Sequence, residues 1–351
     1  MKLLIITQVV DSTDPSLGFF HAWILEFAKT YEKVTVICLK KGTFDLPKNV
    51  QVLSLGKEDS ISKFHYLRRF YKYIWQYRKE YDTVFVHMNP VYVILGWKVW
   101  FLLGKKISLW YTHKSVDLKL RLATFLVNII FTASTESFRI KSKKVKIVGH
   151  GIDMTLFSPA LEPLSYQSTE SFKILVVGRL SSIKRNDRII DAIIEVTKKG
   201  IRVGLVFVGE AITANDIKCK KFLEEKASFV NPPNAITFAG GKAHDAIPRY
   251  LQNSHLFVTM SDTGSLDKAL LEALAMGVPV LVTNPAGVEV LVQSGYTEGI
   301  FRDTDSLALK IENIITEYKT YSTHALAILP PFIKKNHGLQ SLIATITHLL
   351  T

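Results

Sequence analysis

A segment in the second half of the chain combines small, acidic and basic residues at the expected start of a helix. The segment Ser261–Val280 follows a short apolar run, Leu256–Thr259, that we interpret as a strand. Ser265 is a residue type that caps helix N-termini and Gly277 is a type that ends helices, so we expect a helix between them. The free N–H groups and the dipole at such a helix start suit an anionic diphosphate. The residues expected around this site are Gly264, Ser265, Leu266, Asp267 and Lys268.

Glu272 lies seven residues after Ser265, which is two turns or ~10 Å further along the same helix face. An ionised carboxylate can accept two hydrogen bonds from a ribose diol, so a nucleoside diphosphate on this face would place its ribose near Glu272. A solvated helix residue is the alternative, but the surrounding segment Leu270–Ala275 is apolar, and an acid there usually has a partner. Asp267 and Lys268 would contact sugar hydroxyls and phosphate; their alternative is an acid favoured by the helix dipole beside a surface lysine.

A second segment with chemical potential is the basic loop after the predicted strand Ile174–Val177. The strand ends at Gly178, and Arg179 and Lys184 follow at its carboxyl end. Two cations at this position suit a leaving diphosphate, which gains negative charge as the bond to the sugar breaks. A solvated basic loop is the alternative interpretation.

The elements that must position these residues are short strands rich in apolar and β-branched residues, separated by longer helical patterns. Most of the strand patterns are nearly continuous apolar runs, as expected when helices cover both faces of a sheet. This alternation predicts an α/β protein with parallel sheets and right-handed crossovers. The predicted strands are Leu3–Thr7, Val34–Cys38, Val52–Leu55, Val84–His87, Ile107–Tyr111, Ile129–Ala133, Val145–Val148, Ile174–Val177, Val203–Val208, Ile236–Ala239, Leu256–Thr259 and Val280–Val282.

The strand pattern restarts near residue 171, after a segment rich in Pro and Ser that has the composition of a linker. We therefore expect two doubly wound domains, residues 1–160 and 161–328, followed by a final segment, 329–351. We expect Pro330 and Pro331 to redirect the chain before a last helix at His337–Leu350. Ligands of such sheets bind at the carboxyl ends of the strands, so two sheets facing each other across a cleft favour an enzyme with two substrates.

The positive charge is concentrated in the first half of the chain. Residues 1–160 contain 24 Lys and Arg and 12 Asp and Glu, whereas the remainder contains 20 and 19, within a net charge of +13. This predicts that the first domain binds an anionic molecule or lies at an anionic surface. The densest part is the aromatic and basic run Lys63–Lys79, which fits either a membrane-surface helix or an exposed amphipathic helix whose aromatic side chains pack inward. No motif accompanies the charge that would favour nucleic acid as a partner.

Several protein classes are excluded or disfavoured. Cys38 and Cys219, one in each half, indicate ordinary thiols in a reducing cytosol. We expect the start of the chain to be a short buried strand, because it lacks the length and cleavage site of a signal peptide. The longest apolar stretch, Val91–Gly104, is shorter than the ~20 residues of a membrane span, so we interpret it as a buried helix. We expect a cytoplasmic protein that at most lies at the inner face of the membrane. No dinucleotide-binding or Walker loop follows either first strand, and no spacing suggests a nucleophilic triad.

Three motifs in their order resemble family 4 of the glycosyltransferases. They are the loop Gly178–Lys184, the helix segment Leu271–Val280 and the segment Gly151–Pro159. The resemblance covers most of the chain and is strongest between about residues 145 and 300. It implies the GT-B fold, in which two Rossmann-like domains face each other across a cleft and a C-terminal helix crosses back to the first domain. It also implies transfer of a sugar with retention of anomeric configuration.

The resemblance assigns roles to particular residues. Arg179 and Lys184 would hold the diphosphate, and Glu272 would bind the ribose. His113, which follows a predicted strand, lies where many relatives have a histidine that faces the donor sugar; a capping or packing role is the alternative. Gly18 matches one glycine of a loop that usually has two and that approaches the phosphates or acceptor.

The chain departs from the family pattern at two positions. Phe19 stands where the second glycine of that loop is usual. Gly264 stands where the family usually has an earlier glutamate that contacts the donor sugar, and we expect Asp267 to take over part of its work. This departure leaves the identity of the sugar open and motivates an alternative function, a non-catalytic relative that binds nucleotide-sugar or glycan as a partner subunit.

The resulting hypothesis is a retaining transferase that moves a sugar from a UDP- or GDP-sugar to a glycan or lipid-linked acceptor. Cell-envelope or surface polysaccharide synthesis is the expected setting, and the basic first domain would allow peripheral contact with an anionic membrane. We expect no cofactor and no metal, because the helix dipole and the cations would neutralise the diphosphate. The paired acids Asp11 and Asp14, and Asp303 and Asp305, are accordingly not interpreted as a metal site.

Overall fold

A computed structural model describes residues 1–14, 17–113, 115–262 and 266–351 of the chain. It divides into two compact units. The first unit comprises residues 1–153 together with 336–351, and the second comprises residues 154–335. The chain therefore returns to the first unit for its last 16 residues.

The first unit is built on a parallel sheet that, in the described ranges, has seven strands in the order β3-β2-β1-β4-β5-β6-β7. Helices α1 and α12 cover one face of this sheet, and α2, α3 and α4 cover the other. The strands are β1 (Lys2–Val10), β2 (Lys33–Lys41), β3 (Val50–Ser54), β4 (Thr83–His87), β5 (Lys106–Trp110), β6 (Ile129–Thr132) and β7 (Val145–Ile147). The helices are α1 (Phe20–Thr30), α2 (Lys63–Gln76), α3 (Pro90–Leu102), α4 (Leu118–Leu126) and α12 (Leu339–Leu350).

The second unit is built on a parallel sheet with five strands in its described part, in the order β10-β9-β8-β11-β12. Helices α5 and α10 cover one face of this sheet and enclose most of its apolar core. The strands are β8 (Phe172–Val177), β9 (Val203–Val208), β10 (Ile236–Phe238), β11 (Leu256–Thr259) and β12 (Val280–Val282). The helices are α5 (Asn186–Lys198), α6 (Ala214–Ala227), α7 (Ile247–Gln252), α8 (Lys268–Ala275), α9 (Pro285–Ser294), α10 (Thr304–Thr316) and α11 (Tyr318–His337).

The predicted α/β class is confirmed, and each predicted strand corresponds to an observed one. Three of them, Val203–Val208, Leu256–Thr259 and Val280–Val282, have the predicted bounds. The neighbouring strands in both sheets pair in parallel. The strands could be located because most of them are buried on both faces, which makes their sequences apolar at nearly every position. The edge strands β3, β7 and β10 are less buried.

The prediction for the paired prolines was wrong. Pro330 and Pro331 lie inside α11, and the chain turns after this helix, at Gly338, where α12 begins. Ala325, Leu329 and Ile333 of α11 are fully buried at intervals of four residues. This apolar stripe holds the helix together even though a proline removes a backbone hydrogen bond.

The predicted buried helix at Val91–Gly104 is α3, but its burial ends early. Phe101 and Leu102 are exposed, whereas Trp100 beside them is fully buried. A search of the described residues for a helix of the length and hydropathy needed to cross a bilayer finds none.

Candidate active site

The carboxyl ends of three adjacent strands in the second unit finish in glycines with positive φ. Gly178 (φ +147°) follows β8, Gly209 (φ +155°) follows β9, and Gly240 (φ +70°) lies just after β10. Their backbones continue the sheet, since Gly178 N–H donates to Val208 O (2.9 Å) and Gly209 N–H donates to Gly240 O (3.0 Å). Only Gly178 was predicted from sequence. The repeated pattern of a strand followed by glycine is the signal that identifies the other two.

The close backbone approach in this glycine row predicts a large effect of Gly209→Ala. A Cβ at Gly209 would overlap the Gly178 carbonyl oxygen and lie 2.7 Å from its carbonyl carbon, in a φ region that side chains avoid. We expect the free energy of unfolding of this unit to fall by about 3 kcal/mol. Urea denaturation followed by circular dichroism measures it. The control is Gly204→Ala in β9, where the nearest atom is the Ser171 hydroxyl at 3.3 Å. Equal stability of the two variants would contradict the prediction.

Lys184 and Asp267 meet at this edge of the sheet. Lys184 lies in the loop after β8, and its Nζ is 2.6 Å from Oδ2 of Asp267, in the loop between β11 and α8. The same carboxylate oxygen accepts a hydrogen bond from the Thr259 hydroxyl (3.3 Å). A Cβ on Gly178 would lie 3.7 Å from Lys184 Nζ, so the ammonium group sits beside the glycine at the strand end. The structure thus joins the basic loop and the helix start that the sequence indicated separately.

The start of the helix differs from the prediction. Helix α8 begins at Lys268 with Asp267 as its N-cap, whose Oδ1 accepts from the Ala269 N–H (3.3 Å), rather than with Ser265 as N-cap. Asp267 occupies the N-cap position because its carboxylate contacts both the helix backbone and Lys184. Gly264 and Ser265 lie outside the described residues. Leu266, by contrast, is buried.

Glu272 is 3 % exposed, and two side chains contact it. His244 Nε2 lies 2.7 Å from Glu272 Oε1, and Lys268 Nζ lies 3.6 Å from the same oxygen. The buried acid on an apolar helix therefore has partners, as its surroundings required. Lys268 was expected near this site, but as a contact of the sugar or phosphate. His244 was missed, because it comes from the segment between β10 and α7 and carries no local signal that links it to α8.

Arg179 is oriented towards another carboxylate. Its Nε lies 3.8 Å from Oδ2 of Asp216 in the first turn of α6, and its side chain is about half exposed. Asp216 also belongs to a capping box with Thr213, and the backbone N–H of Thr213 lies 3.0 Å from Oδ2. The hydrogen bonds from Thr213, together with the charge of Arg179, hold the pKa of Asp216 below its usual value. The hydrogen bonds from Thr213 to Asp216 therefore do not depend on Arg179.

A second ion pair ties the two loops of the site together. Arg185 has a left-handed backbone (φ +46°), and its Nη1 lies 3.2 Å from Oδ2 of Asp262. The Asp262 N–H donates to the Ile183 carbonyl (3.0 Å). The hydrogen bond to Asp262 raises the pKa of Arg185. Sequence analysis did not single out either residue.

The two candidate residues of the first unit are His113 and Gly18. His113 is exposed and follows Trp110, the last residue of β5, by three positions; its ring centroid is 6.5 Å from that of Tyr111. Gly18 precedes α1 in a tight turn, where a Cβ would lie 2.6 Å from Asp14 O and 2.8 Å from Ser12 O. Glycine at position 18 is therefore required by the local backbone.

The paired acids have structural roles. Asp303 caps α10, where its Oδ1 accepts from the Ser306 N–H (2.8 Å), and Asp11 accepts from the hydroxyl and N–H of Thr13. Over the described ranges, three or more His, Cys, Asp or Glu residues do not converge in a way that could hold a metal ion. A cavity of about 660 Å³ lies elsewhere in the second unit, beside α7 and the strands β8 and β9, and none of the candidate residues lines it.

Comparison with known proteins identifies a family model and curated relatives that match part of the chain. Residues 165–324 match the model of the family described as glycosyl transferases group 1. D-inositol 3-phosphate glycosyltransferase of Rhodococcus opacus is 26 % identical over 183 residues, which are 50 % of this chain and 41 % of that protein. The lipopolysaccharide core biosynthesis mannosyltransferase LpsB of Rhizobium meliloti is 27 % identical over 177 residues, or 47 % and 48 % of the two chains. The match thus spans less than half the length of these relatives.

Solved structures resemble the whole chain. HepE of Anabaena, in complex with UDP, superposes with a TM-score of 0.78 at 18 % identity and covers 100 % of this chain and 99 % of its own. Sucrose-phosphate synthase of Thermosynechococcus elongatus gives a TM-score of 0.74 at 14 % identity, covering 99 % and 97 %. At this level of identity, the similarity establishes the fold.

Proposed function

We propose, from the match of residues 165–324 to the glycosyl transferases group 1 family and from the GT-B fold of the chain, that the protein transfers a sugar from a nucleoside diphosphate-sugar with retention of anomeric configuration. The observation that carries the proposal is the convergence of Lys184, the capped start of α8 and buried Glu272 at one edge of the second sheet. The complex of HepE with UDP-glucose supports a uridine donor.

The site suits a leaving diphosphate. Lys184 and the N-terminus of α8 supply positive charge where the phosphates gain negative charge, and Arg179 supplies more. In place of the phosphates, Lys184 contacts Asp267 and Arg179 contacts Asp216. Asp216 and Asp267 each accept a backbone hydrogen bond as well. Arg179 and Lys184 can therefore bind a diphosphate instead, and neither carboxylate is left without a hydrogen-bond donor.

Glu272 binds the ribose in this proposal. The contacts with His244 and Lys268 both involve Oε1, so Oε2 is the oxygen that accepts from a ribose hydroxyl. A phosphate oxygen takes the proton of the acceptor hydroxyl on the same face. The acceptor is a glycan or a lipid-linked glycan of a cell envelope or surface polysaccharide, a setting supported by relatives named for lipopolysaccharide core and colanic acid biosynthesis.

Calorimetric titration of UDP, GDP, ADP and CMP into the protein in the presence of EDTA tests the donor site. We expect one diphosphate, UDP, to bind, with a dissociation constant that added Mg²⁺ leaves unchanged. Binding that requires a divalent ion would overturn the metal-independent site. If UDP binds but no donor sugar is ever released from UDP, the protein is a nucleotide-sugar-binding partner subunit and the proposed activity is wrong.

A further inference from the structure

The outer surface of the helix layer α2–α3–α4 is unusually apolar for a protein surface. Of the eleven large hydrophobic side chains exposed among the described residues of the first unit, nine lie on these three helices, and none lies on α1 or α12 across the sheet. The nine side chains are Phe64, Leu67, Tyr71, Trp75, Phe101, Leu102, Leu118, Leu122 and Phe125. Exposed hydrophobic side chains concentrated in this way mark an interaction surface.

The helical spacing aligns these side chains on the outside of the layer. The four on α2 are separated by three, four and four residues, and the three on α4 by four and three, so each set forms a stripe along its helix. The opposite side of α2 holds Phe70 and Ile74 in the core. Helix α3 packs against both α2 and α4, and Tyr71 donates a hydrogen bond to the Leu95 carbonyl (3.0 Å), so the two stripes flank one continuous surface.

The charged residues on the three helices that form this surface are all basic. The three helices contain seven Lys and Arg and no Asp or Glu. Cations also lie over exposed rings: Arg78 Cζ is 4.6 Å from the ring centroid of Trp75, and Lys144 Nζ is 5.9 Å from that of Phe125. Aromatic side chains with basic groups beside them suit the headgroup region of a bilayer, where rings enter the acyl boundary and cations remain with anionic lipids.

We propose that the α2–α3–α4 surface is a membrane-contact face that binds bilayers containing anionic phospholipids. Seven basic residues with no acidic residue on the same helices complement the charge of anionic lipids. The contact is peripheral, with side chains rather than a helix entering the bilayer. The membrane contact does not depend on the proposed activity. If that activity is correct, the contact holds the enzyme at the bilayer in which a lipid-linked acceptor lies.

Flotation with vesicles tests the proposal, comparing phosphatidylcholine alone with phosphatidylcholine containing phosphatidylglycerol at two salt concentrations. We expect binding to the anionic vesicles that weakens with salt. The triple variant Trp75→Ser, Phe101→Ser, Phe125→Ser removes side chains that are 56 %, 72 % and 79 % exposed and should lower binding by at least about tenfold. The triple variant Arg68→Gln, Lys72→Gln, Lys119→Gln should lower it by on the order of 100-fold.

Matched controls lie in the second unit. Ile212→Ser, Phe229→Ser, Leu309→Ser removes three exposed hydrophobic side chains, and Lys218→Gln, Lys221→Gln, Lys242→Gln removes three exposed charges; both should bind as the original protein does. Urea denaturation should show equal stability for all variants. Binding that survives the Trp75 triple variant, or that falls equally in the controls, would overturn the proposal. The absence of vesicle binding would also overturn the proposal. If sedimentation velocity then shows a dimer that the Trp75 triple variant dissociates, the surface is an interface between two copies of the chain.

Discussion

Replacing Lys184 with alanine is expected to lower kcat by about 10²–10³-fold, the usual effect of removing one preorganised group that stabilises developing charge. The loss has two parts. The leaving diphosphate loses a cation, and it lies near the negative charge of Asp267, which Lys184 contacts at 2.6 Å, with no ammonium group to offset the repulsion. Release of the nucleoside diphosphate from the donor, with water as acceptor, measures the effect.

The neighbouring acid provides an internal check on this prediction. Asp267→Asn keeps an oxygen that can accept from the Ala269 N–H and removes only the charge. We expect the double variant Lys184→Ala, Asp267→Asn to be more active than Lys184→Ala alone. The control is Lys198→Ala, which removes an exposed lysine on α5 that pairs with Glu195. Unchanged turnover in Lys184→Ala would contradict the role of the basic loop.

Replacing Glu272 with glutamine is expected to raise the dissociation constant of UDP by about 10–100-fold, because a hydrogen bond to a charged group contributes more than one to a neutral amide. The substitution preserves the size of a side chain that is 3 % exposed, so packing is retained. Titration calorimetry measures the change. Glu289→Gln, the same substitution at an exposed position of α9, is the control and should have no effect.

A deoxynucleotide separates ribose binding from a general electrostatic effect. The protein should bind 2′-deoxy-UDP more weakly than UDP, and Glu272→Gln should reduce this difference, since both changes remove the same interaction. If Glu272→Gln weakens UDP and 2′-deoxy-UDP by the same factor, Glu272 does not bind the 2′-hydroxyl. Its role would then be to hold His244 and Lys268 in place.

Local sequence was sufficient for the strands and for the residues at their ends. Most strands are apolar because both faces are covered. Gly178 follows β8 and Lys184 lies in the loop after it, so their placement at its carboxyl end required no knowledge of distant contacts. Glu272 could be selected because an acid within an apolar helix needs a partner. The partner itself, His244, is 28 residues away, and only the fold brings it to 2.7 Å.

The errors also have physical causes. Ser265 was preferred as the helix N-cap because a serine is a good cap in isolation, whereas Asp267 is held by Lys184, 83 residues away in the chain. Pro330 and Pro331 were expected to interrupt the chain because proline removes a backbone hydrogen bond, but the buried stripe of α11 outweighs that loss. In both cases, tertiary contacts overrode a local preference.

The return of the chain to the first unit has a consequence for synthesis on the ribosome. Leu339, Leu342, Ile343 and Ile346 of α12 belong to the same apolar cluster as Trp23 and Phe27 of α1. This cluster cannot close until α12 has left the ribosome, whereas the second unit, residues 154–335, is contiguous. The unit that is translated first is therefore completed last, and until then the α1 side of its sheet exposes an apolar surface that chaperones recognise.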